Sequence, residues 1–181
     1  FVNVNGDDVI NDFDRTVIGN PQPDFIFGFN NQFGYKNFDL SIFFQGSYGN
    51  DIWNGVRVSH EGMESTYNQF TSTLNRWNGE GSSNTMPRAI YADPNRNNRA
   101  STRWVEDGSY LRLKNLTFGY RFTQDWLKKI GAKSLRLYLS FDNLWTLTNY
   151  SGLDPEVGLW GLDYGIYPTS RVYMFGASVK F

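Results

Sequence analysis

The sequence predicts an all-β fold built from antiparallel strands of a transmembrane β-barrel. Several segments alternate between apolar and polar residues, as strands with one apolar face do. Aromatic residues make up 18% of the chain, and barrels carry aromatic girdles at both membrane interfaces. No apolar run approaches the roughly 20 residues that a spanning helix needs. Strands with one lipid-facing side therefore fit the sequence better than membrane-spanning helices do.

Segment 171–181 shows the alternation most clearly and ends on an aromatic residue. One face carries Tyr173, Phe175, Ala177, Val179 and Phe181, and the other carries Val172, Met174, Gly176, Ser178 and Lys180. A strand of this kind is typical of the closing strand of an outer-membrane barrel, with its apolar side toward lipid.

Four further segments have the same pattern. Their apolar faces consist of Phe25, Phe27, Phe29 and Phe33; Phe38, Leu40, Ile42 and Phe44; Leu116, Phe118, Tyr120 and Phe122; and Leu135, Leu137, Leu139 and Phe141. Leu111 and Leu113 have the opposite parity from Leu116, which predicts a β-bulge near Lys114-Asn115. Each segment has about ten residues, the length that a tilted strand needs to cross a bilayer.

Short and long connections alternate between these strands, as expected for periplasmic turns and extracellular loops. The turn 34–37 and the link 123–133 are short, and in the link we expect a helix capped by Thr123 and ended by Gly131. The predicted organisation is an extracellular loop 1–23, a transmembrane hairpin 24–48, a long extracellular loop 49–107, a second hairpin 108–146, an extracellular loop 147–170 and the closing strand 171–181.

Five strands cannot close a barrel, because bacterial single-chain barrels have an even number of roughly 8 or more. We therefore expect the chain to be a C-terminal piece of a larger protein, and the lack of a signal peptide agrees. The odd strand count also disfavours a complete small porin.

The charge balance and the motifs of the chain argue against several other functional classes of protein. Lys and Arg number 17 and Asp and Glu 18, so neither a nucleic-acid footprint nor a polybasic membrane patch is indicated. There is no cysteine for a disulfide or a thiolate metal site. His60 is the only histidine, and no P-loop or nucleophile-elbow motif occurs. We predict no catalytic residues and no enzymatic activity.

Segment 3–14 spaces oxygen ligands like a degenerate calcium loop. The ligand positions would be Asn3, Asn5, Asp7, the Val9 carbonyl, Asn11 and Asp14. The usual glycine is replaced by Asp8 and the final glutamate by the shorter Asp14. Both a Ca²⁺ site that stiffens the loop and an ordinary Asx-rich turn remain open, and no other cofactor is predicted.

The long loop contains an apolar stripe at helical spacing. Met63, Tyr67, Phe70, Leu74 and Trp77 recur at intervals that predict a helix. The stripe either packs the loop or offers a ligand platform. Candidate residues for ligand or partner contact are Tyr67, Trp77 and Trp160, whereas Trp53 and Trp104 are assigned to an interfacial aromatic belt.

Segments 14–25, 107–120, 141–146, 152–156 and 167–173 together resemble the C-terminal end of SusC/RagA-like TonB-dependent transporters. The resemblance implies a barrel of about 22 strands in the bacterial outer membrane. This barrel would import oligosaccharides or peptides. The resemblance also implies a SusD-like surface lipoprotein as an extracellular lid, and energy from TonB through an N-terminal plug that this segment lacks.

The end of the chain also resembles the signal that the barrel-assembly machinery recognises. Gly176, Val179 and Phe181 have the expected spacing, whereas Met174 occupies a position that is usually polar. Alternatively, Phe181 is simply a lipid-facing anchor.

Two classes of function remain. One is the import barrel, and the other is a soluble β-rich module that binds carbohydrate or mediates adhesion. Four alternate phenylalanines on one strand favour the barrel, because a soluble sheet would have to cover that face with a second layer.

Overall fold

A computed structural model describes the whole of Phe1–Phe181. The chain forms two compact units. The sheet unit comprises Pro23–Gly49, Gly108–Asn149 and Tyr167–Phe181, and the loop unit comprises Phe1–Gln22, Asn50–Asp107 and Tyr150–Ile166. No helix is long and apolar enough to cross a membrane.

The strands are β1 (Phe25–Tyr35), β2 (Phe38–Tyr48), β3 (Asp51–Asn54), β4 (Val105–Asp107), β5 (Tyr110–Phe122), β6 (Ser134–Thr148), β7 (Leu162–Asp163) and β8 (Val172–Lys180). The sheet unit holds a five-stranded sheet in the order β1-β2-β5-β6-β8. All its neighbouring strands are antiparallel. The prediction of an all-β, antiparallel fold is confirmed.

The register of the large sheet places its apolar residues on one face. Phe29 lies opposite Phe44, and Leu139 lies opposite Phe175. Because side chains alternate along a strand, every second residue of each strand joins this apolar face. Phe29 is 60% exposed and Phe175 70% exposed. The buried hydrophobic side chains of the chain include no residue of the five strands, so no soluble core covers this face.

The predicted β-bulge is confirmed. Leu116 lies opposite Ile42 and Leu113 lies opposite Phe44, so the register between β2 and β5 shifts around Lys114. A second irregularity, between Asp142 and Trp145, shifts β6 against β5. The paired shifts keep Leu113 and Trp145 opposite each other on the apolar face.

The short connections use compact turns. Lys36, with φ of +52°, lies in the two-residue turn between β1 and β2. A 3-10 helix, Asp125–Ile130, lies between β5 and β6 and ends at Gly131, whose φ is +75°. Gly131 therefore ends the helix as predicted, since glycine adopts this left-handed conformation without strain. The N-cap is Gln124 rather than Thr123, and it makes no side-chain capping bond.

The loop unit has its own small sheet, in the order β4-β3-β7. Helix α1 (Gly55–Glu61) follows β3 directly. Asn54 caps this helix, because its side chain accepts a hydrogen bond from the backbone N–H of Arg57. The core of the loop unit contains the buried side chains of Ile52, Trp104 and Tyr150.

The helix predicted from the stripe Met63, Tyr67, Phe70, Leu74 and Trp77 is wrong. Only a 3-10 helix, Thr71–Asn75, forms within that segment. Met63 has φ of +55°, which an α-helix does not accommodate. Ser, Thr and Asn residues in the segment also compete for backbone hydrogen bonds. The stripe does not form one face, since Met63 is buried while Tyr67 and Leu74 are exposed.

Candidate functional site

The face of the large sheet opposite the apolar one is polar and internally hydrogen-bonded. Asn115 Nδ2 donates to Asp142 Oδ1 at 2.7 Å and to Ser140 Oγ at 3.2 Å. The hydroxyls of Thr117 and Ser140 lie 2.8 Å apart. These residues come from neighbouring strands β5 and β6, and cross-strand pairs of this kind fix the register. The result is a hydrophilic wall, as expected for a surface that lines a wet lumen.

An ion pair crosses a whole strand on the same face. Arg136 on β6 donates from Nε to Asp39 Oδ1 on β2 at 2.9 Å. Gly119 lies on β5 between them, and a Cβ atom there would be 2.6 Å from both Asp39 carboxylate oxygens and 2.7 Å from Arg136 Nη2. Glycine therefore lets the two side chains meet above the intervening backbone.

Arg112 is the most buried charged residue of the polar face, with 3% exposure. Its guanidinium donates to Thr146 Oγ1 at 3.0 Å and to Thr169 Oγ1 at 3.2 Å. It also lies 5.5 Å from the ring centre of Tyr110. The planar guanidinium, with several fixed donors, thus ties β5 to β6 and to the segment before β8.

The residues predicted as an assembly signal lie on or after β8, on both faces. Gly176 lies under Tyr138, where an added Cβ would be 2.2 Å from the tyrosine Cζ. Val179 is 46% exposed and Phe181 73% exposed. Gly176 therefore has a packing role of its own, since aromatic rings cover strand glycines. Recognition of Gly176, Val179 and Phe181 by the assembly machinery stays a prediction.

In the loop unit, Arg57 lies between two carboxylates. It donates from Nε to Glu61 at 2.9 Å and from Nη1 to Glu106 at 2.9 Å. Burial lowers the pKa of Arg57, but its hydrogen bonds to Glu106 and Glu61 outweigh burial and raise it. Burial raises the pKa of Glu106, and the hydrogen bonds from Arg57 and Ser151 lower it by more, so its pKa lies below the usual value.

A second polar pair lies close by in the same unit. The Tyr150 hydroxyl donates to Asp163 Oδ2 at 2.6 Å, and both residues are buried. Burial, followed by the neighbouring carboxylate, raises the pKa of Tyr150 well above its usual value. Asn54, Arg57, Glu61, Phe70, Leu153 and Asp163 line part of a cavity of about 420 Å³. Asn54, Arg57 and Glu61 are joined by hydrogen bonds, and Asp163 accepts from Tyr150 and from two backbone N–H groups. These bonds first of all stabilise the unit.

The assignment of Trp104 to an aromatic belt is wrong. Its side chain is fully buried in the loop unit. Arg103 lies 4.2 Å and Arg57 5.8 Å from its ring centre, distances suited to cation–π attraction. Sequence reasoning missed this cluster, because Arg57 is far from Arg103 and Trp104 in the chain and their contact follows no strand or helix period.

The calcium-like segment forms a loop closed by its own side chains. Asn3 and Asn5 each accept a hydrogen bond from a following backbone N–H, at 2.7 Å and 3.1 Å. Asp14 accepts from Val4 N at 2.7 Å and from Asn11 N at 2.7 Å. Asp8 has φ of +63°, at the position where a calcium loop normally has glycine. The backbone thus resembles a calcium loop, and metal binding by Asn3, Asn5, Asp7, Val9, Asn11 and Asp14 stays a prediction.

The three residues predicted to contact a ligand or partner are exposed but not joined in one site. Tyr67 is 77% exposed, Trp77 36% and Trp160 81%. Trp77 has Arg88 6.0 Å from its ring centre, and none of the three rings stacks on another. The structure contains no group of three or more His, Cys, Asp or Glu residues that would hold a metal ion.

Comparison with known proteins was made by sequence and by structure. No family model matches the chain. It is 40% identical, over its full length, to TonB-dependent receptor P3 of Formosa agariphila, of which it covers 19%. It is 29% identical to TonB-dependent receptor SusC of Bacteroides thetaiotaomicron, of which it covers 17%. A structure of the RagAB peptide importer in the "closed-closed" state has a TM-score of 0.79 and 27% identity, with 91% of this chain and 18% of that chain covered.

The fold, with one exposed apolar face and one polar face, defines an antiparallel sheet of the outer-membrane type and resembles part of the RagAB structure. The resemblance to SusC/RagA-like TonB-dependent transporters is confirmed, since the match covers the whole chain. The chain spans about a fifth of the length of the curated relatives it matches.

Proposed function

We propose that the chain forms part of the barrel wall and extracellular loops of a TonB-dependent outer-membrane transporter. The observation that carries the proposal is the division of the five-stranded sheet into two faces. Phe25, Phe27 and Phe29 are exposed on one face, and hydrogen-bonded polar side chains occupy the other. In a barrel wall, lipid would contact the apolar face from outside and water in the lumen would hydrate the polar face from inside.

The cargo is proposed to be oligosaccharides or peptides. The relatives include SusC, and the solved neighbours include a peptide importer, which supports a nutrient-import role without selecting one cargo. In this scheme the polar face lines the path of the cargo. The exposed Tyr67, Trp77 and Trp160 belong to extracellular loops that contact cargo or a SusD-like lipoprotein lid.

Energy coupling and assembly are proposed to involve parts and partners outside this segment. TonB would act through an N-terminal plug, and the barrel-assembly machinery would insert the protein through Gly176, Val179 and Phe181. No nucleic-acid partner is proposed, since the chain carries 17 basic and 18 acidic residues. No observation favours the soluble carbohydrate-binding or adhesion module, because no second layer covers the exposed phenylalanines.

The proposal is tested with the full-length protein in its native host. Membrane fractionation with affinity purification measures where the protein resides and whether a surface lipoprotein co-purifies. Uptake of fluorescent oligosaccharides and peptides is compared between wild type, a deletion strain and a strain without TonB. We expect outer-membrane residence, lipoprotein co-purification and TonB-dependent uptake of one cargo class. Recovery in a soluble fraction would contradict the proposal, and so would uptake that is unchanged in the deletion strain.

A further inference from the structure

Basic residues collect at one edge of the large sheet, where the short connections lie. We call this set the basic edge, and it consists of Lys36, Arg121, Lys128, Lys129, Lys133 and Lys180. Backbone pairing brings its segments together, since Arg121 N donates to Asn37 O at 2.8 Å and Lys133 N to Lys180 O at 2.7 Å. The near-neutral total charge had indicated no polybasic patch. That expectation is wrong at this edge, because the fold separates the charges.

Carboxylates neutralise only part of the basic edge. Asp125 forms an ion pair with Lys128 at 2.6 Å, and Asp39 is paired with Arg136. Lys36, Lys129 and Lys180 are exposed and form no ion pair. Lys133 is also exposed, but its ammonium already donates to the terminal main-chain oxygen of Phe181, the last residue of the chain, at 3.1 Å. The edge therefore presents several ammonium groups that lack an anionic partner.

A continuous row of aromatic rings lies on the apolar face at the same edge. The ring centres of Phe38 and Tyr120 are 4.7 Å apart, those of Tyr120 and Phe122 4.6 Å, and those of Phe122 and Trp126 6.5 Å. Trp126 is 46% exposed. Aromatic belts mark the level of lipid headgroups in membrane proteins. Lys128, Lys129 and Lys133 follow this row along the chain, so in a membrane-spanning sheet they would lie at the depth where lipid phosphates are found.

We infer that the basic edge binds the phosphates of anionic glycerophospholipids in the leaflet next to the short connections. Ammonium groups near a membrane surface attract anionic headgroups, and aromatic side chains anchor the same level. This inference rests on the proposed membrane-spanning role of the sheet. The occupant is a phospholipid and not lipid A, because the short connections face the periplasm in the proposed topology and lipid A lies in the opposite leaflet.

The test uses the full-length transporter, delipidated in detergent and analysed by native mass spectrometry. Phosphatidylglycerol, phosphatidylethanolamine and lipid A are added in competition, the two phospholipids with identical acyl chains. The test variant carries Lys36→Gln, Lys129→Gln, Lys133→Gln and Lys180→Gln. The matched control loses the same charge from exposed residues of the loop unit, through Arg15→Gln, Arg76→Gln, Arg88→Gln and Arg96→Gln. Heat-modifiable mobility on gels verifies that each variant is folded.

We expect wild type and the arginine control to retain phosphatidylglycerol about fivefold more than phosphatidylethanolamine, and the lysine variant to lose this preference. In wild type alone, raising the salt concentration from about 0.05 to 0.5 M should also reduce the preference, because salt screens exposed charges. The inference is overturned by equal retention of the two phospholipids in wild type, by an unchanged preference in the lysine variant, or by preferential retention of lipid A. Failure of the full-length protein to enter the outer membrane would instead overturn the proposed function.

Discussion

Single residues on the polar face of the sheet have geometric roles that their chemistry alone does not indicate. Gly119 and Gly176 both lie where a larger residue would collide with a side chain from a neighbouring strand. At Gly119 the neighbours are the charged groups of Asp39 and Arg136, and at Gly176 the neighbour is the ring of Tyr138. Glycine by itself lowers the stability of a strand. At both positions the cross-strand contact that glycine permits compensates for this loss.

Gly119→Ala should destabilise the folded protein by about 0.5–1 kcal/mol, because the added methyl group displaces the ends of the Asp39 and Arg136 side chains and breaks their ion pair. The measurement is the temperature at which heat-modifiable mobility is lost on gels. Gly34→Ala is the matched control, since no atom lies within 4 Å of its added Cβ. Equal melting of the two variants would contradict the role assigned to Gly119.

Calcium should protect segment 3–14 from hydrogen exchange if the loop binds the ion. Asn3, Asn5 and Asp7 would turn their oxygens from backbone N–H groups to the metal, and Asp14 would supply the last ligand. The measurement is exchange of peptides from this segment at millimolar Ca²⁺, compared with Mg²⁺ and with chelator. Asp14→Asn should abolish the protection, whereas Asp12→Asn should keep it. Protection that is identical with and without Ca²⁺ would leave an Asx-rich turn as the explanation.

At the scale of elements, the sequence predicts the strands better than the loops. Side chains along a strand alternate between its two faces with a local two-residue period. Odd and even positions therefore predict the apolar faces, and a change from one to the other predicts the bulge near Lys114. The loop unit depends on contacts between distant segments, such as Arg57 with Glu106 and Tyr150 with Asp163. The helical spacing of Met63 to Trp77 is misleading, because local periodicity does not reveal which residues are buried. Met63 is the one buried residue of that stripe.

Phe29→Lys should reduce the folded, membrane-inserted protein strongly, whereas Asn30→Lys should not. The two residues are neighbours on β1, but they lie on opposite faces of the sheet. A lysine on the lipid side near the bilayer centre costs roughly 2–4 kcal/mol, and a lysine on the polar face stays hydrated. The measurement is the heat-modifiable fraction of full-length protein in outer-membrane preparations. Similar abundance of both variants would contradict lipid contact by the apolar face.

Deletion of Lys114 should prevent correct folding of β5. Without the extra residue, Leu111 and Leu113 would face the polar side and Arg112 would face lipid, because a one-residue shift reverses every side chain. Assembly is measured by the amount of heat-modifiable protein in the outer membrane. Deletion of Gly81 in the long loop, whose added Cβ would meet no atom within 4 Å, is the control. Normal assembly of the Lys114 deletion would show that β5 can repair its register.

At the scale of the whole molecule, the chain divides structural tasks between its two units. Ordered hydrogen bonds across long strands define the sheet unit, and many apolar side chains of its strands, such as Phe29 and Phe175, remain exposed. The loop unit instead has a small core around Ile52 and Trp104 and a buried charged network. Since a fully satisfied polar network favours one conformation over its alternatives, the loops should be ordered rather than freely mobile. The order of the loop unit therefore depends in part on the ionised carboxylate of Glu106.

Glu106→Gln should loosen the loop unit by roughly 1–3 kcal/mol, because Arg57 loses one of its two carboxylate partners while partly buried. Lowering the pH should act in the same direction. The pKa of Glu106 is depressed in the folded chain, so its stabilising contribution is present above the usual value of 4.5 and is lost as pH falls through the depressed pKa.

The measurement for Glu106 is the rate of limited proteolysis between residues 50 and 107 of the full-length protein, at neutral and acidic pH. Glu80→Gln is the control, since Glu80 is exposed in the same loop and makes no ion pair. Heat-modifiable mobility should be unchanged in both variants, because Arg57, Glu61 and Glu106 all belong to the loop unit. Faster cleavage of the Glu106 variant at neutral pH, with little further acceleration in acid, would assign the pH response to this carboxylate. Equal cleavage of the two variants would show that the Arg57 network does not hold the loop.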